Sequence, residues 1–295
     1  MSAVPASTTP VVVAERQPDG LFRSALRLWR TRIGVLIVLL LVATAVLGPY
    51  IAPHSPTAFV GDPASGRAPG VVFGTDMLGQ DVWSRFLNGG RSILLLAAAS
   101  TVLGVTLGAL VGMLAAYSRG KLDDVLMRLM DVILAFPQIM LALVAISTVG
   151  PSAWIIIGAV GFTTMPRVAR VVRGAAVPVV ERDFVSAAEA LGEPRLRILV
   201  REVLPNVTSP LLVEMTLRLT FSIGLIAGLA FLGFTTDPNA PDWGLMINEN
   251  NALLTIQAWG VVLPTIAIAL LTVGTGLVGD GLARASIGIE RGKGD

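Results

Sequence analysis

Apolar and polar residues alternate along this chain in long blocks. Apolar runs occupy 33–52, 92–118, 209–234 and 256–282. Each suffices to cross a bilayer, which takes about 20 residues of helix. No charge stands between Asp131 and Arg167. That stretch is too long for one span, and Gly150-Pro151 divides it with two helix breakers. It predicts a third span over 125–149 and a fourth over 152–172. The pattern reads as an all-α polytopic membrane protein with six transmembrane helices in 33–283, flanked by residues 1–32 and 284–295. The first run is longer than a signal-peptide core and no small-residue cleavage site follows it, so it is expected to be an uncleaved anchor. Residues 1–20 mix Pro, Ser and Thr without a stable period and are expected to be disordered.

Between the fourth and fifth runs the period changes. Over 173–207 the chain is polar and helical in pattern. Phe184, Ala187, Ala188 and Leu191 recur at three-four spacing. Asp183 is placed to cap that helix and Gly192 to end it. Pro194 suits the first turn of a second helix. There Leu196, Leu199, Val200, Val203 and Leu204 form an apolar stripe, with Arg195, Arg197, Arg201 and Glu202 on other faces. Pro205 is expected to end it. A helix lying flat on headgroups explains the Arg-Leu pattern. It explains less well an alanine-rich helix carrying Glu189, which an anionic leaflet repels.

Composition agrees with the runs. The 295 residues are 54% hydrophobic and 14% charged, against about 25% charged in soluble domains. Cysteine is absent and His54 is the one histidine. Thiol chemistry, disulfides and multi-histidine metal sites are thereby excluded. The net charge of +2 gives no sign of a nucleic-acid partner. No phosphate-binding Gly-x-x-x-x-Gly-Lys-Ser/Thr loop is present, so no nucleotide is hydrolysed by this chain.

Basic residues set the orientation. Arg16, Arg23, Arg27, Arg30 and Arg32 precede the first span. Arg119 and Lys121 follow the second. Arg167, Arg170, Arg173, Arg182, Arg195, Arg197 and Arg201 crowd the region between fourth and fifth. Arg284, Arg291 and Lys293 close the chain. The outer segment 53–90 holds only Arg67 and Arg85, and the loop after the fifth span has Asp237, Asp242 and Glu249 but no basic residue. Both termini are therefore expected in the cytoplasm.

The stretch "SAAEALGEPRLRILVREVLPN" resembles the "EAA" loop of ABC importer permeases. Ala187-Ala188 match its alanines, Gly192 its glycine and Leu204-Pro205-Asn206 its ending. Ser186 stands where the family usually has glutamate, with Glu189 one turn on. Other blocks, "FGTDMLGQDVWSRFLNGGRS", "MPRVARVVRG", "GLAFLGF…PDWG" and "LVGDGLARA", resemble permeases of dipeptide, oligopeptide and nickel importers. The combination is most similar to the C-type of their two permease subunits. The resemblance implies the type I ABC importer permease fold in a bacterial inner membrane. It also implies a second homologous permease, two cytosolic ATPases that hold ATP and Mg2+, and an extracytoplasmic binding protein. No cofactor is expected in this chain. Phe184, Ala187, Ala188, Glu189, Gly192, Leu204, Pro205 and Asn206 would then couple to the ATPase. The implied cargo is peptide, with nickel chelates or glutathione as alternatives.

Some charged and aromatic residues stand apart. Glu214 and Arg218, four apart in the fifth span, share a face. They either line the path or partner contact, or neutralise each other near the cytoplasmic end. Arg128 and Asp131 are expected to snorkel. In the outer segment Val82, Trp83, Phe86 and Leu87 suit a short interfacial helix ended by Asn88-Gly89-Gly90. Asp76 and Asp81 either meet a binding protein or cap that helix. Trp243 belongs to a block that resembles the family and is a further candidate for binding-protein contact. Pro137 and Pro166 mark kinks or span ends. A secondary transporter is the rival reading, but no repeat between the halves is seen. A membrane enzyme lacks any catalytic constellation.

Overall fold

The computed structural model describes residues 21–66, 70–118 and 120–291, with side chains through residue 286. The expected disorder of 1–20, residues Arg16, Arg67, Arg119 and Lys293, and the Arg291 side chain lie outside the described residues. Among the described residues there are helices and two isolated bridges, Phe59–Gln80 and Thr75–Asp81, but no strand.

A short helix α1 (Leu21–Leu26) leads into α2 (Trp29–Ile51), the first span. After an irregular outer segment come α3 (Val82–Ser118), α4 (Lys121–Leu134), α5 (Gln138–Val149) and α6 (Ala153–Val180). The polar region holds α7 (Asp183–Ala190), α8 (Arg195–Ile198), a π-turn (Leu199–Val203) and α9 (Leu204–Asn206). Then follow α10 (Thr208–Phe231), the outer helix α11 (Trp243–Asn250) and α12 (Trp259–Arg291). The helices α2, α3, α6, α10 and α12 are each long and apolar enough to cross a membrane. The third span is not straight. The α4 and α5 helices meet at 83°, so six spans result only when this broken pair counts as one. Pro137 causes the break: it has no N–H to continue α4, and its extended ψ of 129° starts α5 afresh. Charged Asp123, Asp124, Arg128 and Asp131 make α4 amphipathic, whereas α5 is wholly uncharged.

Three glycines set the centre. Gly104, Gly108 and Gly112 recur every fourth residue on α3. A Cβ there would come within 2.7, 2.7 and 2.4 Å of the carbonyl oxygens of Gly161, Met165 and Ala169 on α6. Such small-residue stripes let membrane helices approach to backbone contact, where dispersion replaces the missing hydrophobic drive. That tight pair explains why α6 runs eight residues past its expected end at 172. Pro166 and Pro178 both sit inside it, so Pro166 does not end the span. The α12 helix likewise runs on past 282 to Arg291.

The outer segment departs most from expectation. The second span begins at Val82, ten residues before 92, because Asn88-Gly89-Gly90 does not end a helix. A Cβ on Gly89 or Gly90 would lie 2.8 or 2.6 Å from the Trp243 indole. These glycines make room for a ring from the last outer loop, and the helix continues beneath it.

Candidate coupling surface and translocation face

The polar region builds a knuckle. Its first helix starts on Asp183 as the first helical residue. Arg182 holds the cap position without a side-chain bond, so Asp183 is not the cap. Its charge still suits the positive helix end. The helix stops at Gly192, whose φ of +75° is costly for any residue with a Cβ. Gly192 N donates to Glu189 O at 2.9 Å and Glu193 N to Ala188 O at 3.1 Å, the paired bonds of a Schellman motif. Nothing lies within 4 Å of where a Gly192 Cβ would be, so conformation alone demands glycine.

The second half does not end at Pro205. Leu204 N donates to Leu199 O, one residue further back than in an α-helix. This π-turn takes up the register change, and Pro205, which needs no donor, sits in the first turn of α9. Val207 then leads directly into α10. The second half of the knuckle and α10 thus form one nearly unbroken helical path from Arg195 to Phe231.

Burial divides the knuckle into a root and a tip. Val185, Ile198, Leu199, Val203 and Val207 are buried; the last three join Val172, Ala176 and Val180 of α6 in one cluster. Phe184, Ala187, Glu189, Gly192, Pro205 and Asn206 are exposed, while Ala188 and Leu204 are half-buried. Leu191 is 83% exposed at the tip, with Leu196 and Val200 also uncovered. Exposed apolar surface of this kind marks interaction sites. The stripe expected over 196–204 is therefore split: Leu199 and Val203 face in, Leu196 and Val200 face out. Leu191 shares the three-four spacing of Phe184, Ala187 and Ala188 but is not among the residues that the family resemblance picks out. Tyr117 at the end of α3, which interacts with Glu189 beside Arg195, carried no sequence signal at all.

On the other side of the molecule the candidate contact residues are turned inward. Asp76 and Asp81 are each 1% exposed. Asp76 accepts from Leu78 N at 2.9 Å and Gln80 N at 2.8 Å, and pairs with buried Arg85. Arg85 also meets Glu249, at 2.8 Å. Asp81 caps α3 by accepting from Trp83 N at 3.1 Å and Ser84 Oγ at 2.6 Å, and His54 Nδ1 stands 3.1 Å away. Asp81 therefore caps α3 as one of the two readings had it, whereas Asp76 does neither: it closes the turn before α3 and pairs with Arg85. Trp243 is fully buried. Its Nε1 donates to Phe86 O at 2.9 Å, and its ring stacks on Phe86 with centroids 5.6 Å apart. Asp242 caps α11 by accepting from Gly244 N at 2.8 Å, and burial pushes its carboxyl above the usual range.

Within the spans, Glu214 and Arg218 do share a face. Arg218 Nε lies 3.0 Å from a Glu214 oxygen with both side chains nearly buried, and the guanidinium sits over Phe221 at 5.2 Å. Asp131 does not pair with Arg128 but with Arg170, and Asp123 pairs with Arg173 through two bonds, one of 2.5 Å. Among the described residues no group of His, Asp or Glu is arranged to hold a metal.

Known proteins are similar to this chain in sequence and in fold. Residues 104–287 match the model for the binding-protein-dependent transport system inner membrane component. A peptide transport system permease protein of Brucella suis is 38% identical, with 85% of each chain covered. A glutathione transport system permease protein of Escherichia coli is 35% identical over 85% of this chain and 83% of its own. The fold is similar to a chain of the MetNI methionine ABC transporter solved in inward-facing conformations. The TM-score is 0.52 and the identity 20%, with 68% of this chain and 95% of that one covered. With several apolar helices joined by a helical knuckle and a match over most of its length, this chain belongs to the inner-membrane permease components of binding-protein-dependent transport systems.

Proposed function

We propose that the chain is one of two homologous permeases of an ATP-driven peptide importer. Both of its termini and the knuckle lie in the cytoplasm. Two ATPase chains supply ATP and Mg2+ chemistry, and an extracytoplasmic binding protein delivers the cargo. The observation that carries this reading is the knuckle's construction. Its apolar tip is exposed, its root is buried, and it joins α10 through the π-turn. An ATPase groove that takes Phe184, Ala187 and Leu191 would push a lever ending inside the bilayer. ATP shifts the spans only if it binds the two states unequally.

The chain contains no cysteine, so single cysteines at Ala187 and Leu191 can be placed without background. In the assembled complex both should cross-link to an ATPase chain, and the yield should change when ATP is added. If neither ever captures an ATPase, the coupling role is wrong. Glutathione is the second reading, favoured by the glutathione permease relative. Ligand binding by the cognate binding protein separates it from other peptides.

A further inference from the structure

Where α2 meets α12, a cavity of about 240 Å³ opens beside the first turn of α2. Leu28, Trp29, Arg30 and Thr31 form one wall, and Asp280, Gly281 and Arg284 of α12 form the other. It lies on the knuckle's side of the bundle, since the neighbouring Ala25, Leu282 and Ala285 pack with Val213 near the start of α10. Span lengths give its depth. Trp29 to Ile51 is 22 residues (51 − 29), and Trp259 to Asp280 is 21 (280 − 259). At 1.5 Å per residue these are about 33 and 32 Å, slightly more than a hydrocarbon core of about 30 Å. Both walls therefore stand at the level of the headgroups, where Trp29, 67% exposed, suits the aromatic belt.

The polar groups around this cavity are unsatisfied. The α2 helix begins without a side-chain cap, and its first hydrogen bond runs from Arg32 N to Leu28 O. The N–H groups of Trp29, Arg30 and Thr31 thus find no acceptor within α2. The Thr31 side chain is 2% exposed, and its hydroxyl has no partner among the described residues. Thr44, Thr265 and Thr272 each donate to the carbonyl one turn back. Thr31 has no helical turn behind it, because α1 stops at Leu26. Gly281 leaves room for it, since a Cβ there would overlap the hydroxyl. Deeper in the pair, a Cβ on Gly34 would lie 2.7 Å from Gly274 O, so the two walls are held backbone to backbone. The Arg30 guanidinium lies over the Trp29 ring at 5.8 Å. Among the described residues neither Arg30 nor Arg284 has an ion pair, and nor does Asp280, one turn from Arg284.

An uncapped helix start, an orphan hydroxyl and two guanidiniums in one cavity suit a phosphate oxyanion. We propose that the cavity seats the headgroup of a membrane phospholipid. Its phosphate meets Arg30, Arg284 and the first turn of α2. Its acyl chains descend along Ile33, Leu36 and Leu40, which follow Trp29 at three-four spacing and are 40 to 65% exposed. A free phosphate would leave that apolar stripe unused. The volume is below the roughly 300–1,000 Å³ of pockets for drug-sized ligands. The carboxylate of Asp280 sets the choice of headgroup. Phosphatidylethanolamine carries an ammonium two carbons from its phosphate and so matches both signs of charge; phosphatidylglycerol offers Asp280 no cation. A bound lipid would pin the start of α2 to the end of α12, whatever cargo the protein carries.

The test uses the purified full-length protein, freed of lipid in detergent. It is titrated with dioleoyl-phosphatidylethanolamine, dioleoyl-phosphatidylglycerol or inorganic phosphate, and occupancy is read by native mass spectrometry. The wild-type protein should bind one phosphatidylethanolamine in preference to phosphatidylglycerol. Replacing both arginines, Arg30→Gln with Arg284→Gln, should weaken that binding about tenfold, equivalent to 1.4 kcal/mol. Asp280→Asn should keep the lipid but lose the preference. Arg128→Gln, on the exposed side of α4, should change nothing. Unchanged affinity in the double-arginine variant overturns the inference. So does an equal loss in Arg128→Gln, which would mark general attraction to basic surface. Displacement of the lipid by an equal concentration of inorganic phosphate would give the cavity to a free anion and also overturn it. Equal binding of the two lipids by the wild-type protein would remove Asp280 from the site without needing any variant, and the headgroup assignment with it.

Discussion

The two ends of this molecule use their polar residues in opposite ways. At the end away from the knuckle, a set of charged and aromatic groups is turned into the protein. Arg85 lies between Asp76 and Glu249, Asp81 caps α3, and Phe73, Trp83, Phe86 and Trp243 stack in series at 5.2 to 5.6 Å. Backbone is held across long sequence distances too, as where Asn250 Oδ1 accepts from Met77 N at 3.0 Å. At the knuckle end the root is apolar and buried while the tip is left uncovered, with Leu191 pointing into solvent. The contrast teaches that exposed apolar side chains and internally satisfied charges do different jobs. The outer cap is fastened to itself and stiffens the ends of the spans. The knuckle is fastened at one side only and offers the other side to something else.

The largest expected effect that would break this contrast is at Arg85. Arg85→Leu leaves Asp76 and Glu249 facing each other without a cation. Breaking a buried pair from one side costs about 3–5 kcal/mol. Thermal unfolding of the purified protein in detergent should show a loss of that order. If the midpoint is unmoved, the outer cap is not held by this ion cluster. Next, Gly90→Val forces a side chain into the Trp243 ring, where even a Cβ would be 2.6 Å from it. Overpacking of this kind costs about 1–3 kcal/mol. The Trp243 fluorescence should report a displaced ring.

At the other end, Gly192→Val should cost about 1–2 kcal/mol locally, from the left-handed backbone. Its main effect should be on coupling: the complex assembles, hydrolyses ATP, and imports poorly. Import at the wild-type rate would mean that the turn is not part of the lever. Leu191→Glu should change stability by less than about 0.5 kcal/mol, as surface substitutions do. It should still weaken co-purification of the ATPase. A variant that destabilises the chain but keeps its ATPase would reverse the assignment of root and tip.

The smallest effect concerns Asp242. Burial raises its folded pKa above its unfolded value, so the folded state favours the protonated form. Its contribution is fully present below the unfolded pKa and declines as pH rises through the folded one. Net stability should therefore fall as pH rises, because ionised Asp242 keeps its bonds to Gly244 N and Leu245 N but carries the cost of a buried charge. Asp242→Asn keeps a capping oxygen but cannot ionise. It should flatten that pH dependence in hydrogen exchange of Gly244 and Leu245, with a total effect near 1 kcal/mol, the usual worth of a cap.

The amino-acid sequence by itself determined the features that one segment can decide alone. The length of each apolar run located five of the spans to within about ten residues at their ends. Gly192 ends its helix as expected, because a left-handed residue needs only its own backbone to be recognised. Glu214 and Arg218 share a face because four residues is about one helical turn. Tertiary structure decided whatever depended on a distant neighbour. Gly89-Gly90 has the composition of a helix end, yet Trp243, more than 150 residues later, makes it a seat for a ring. Asp76 and Asp81 look like surface charges until Arg85, His54 and Glu249 close around them. Pro205 ends a regular helix but not one that slips into a π-turn, and Pro137 marks a break whose 83° angle only the folded chain shows. A short apolar or polar pattern reports the medium a segment prefers. Which partner supplies that medium, lipid or another part of the chain, is fixed only when the chain is folded.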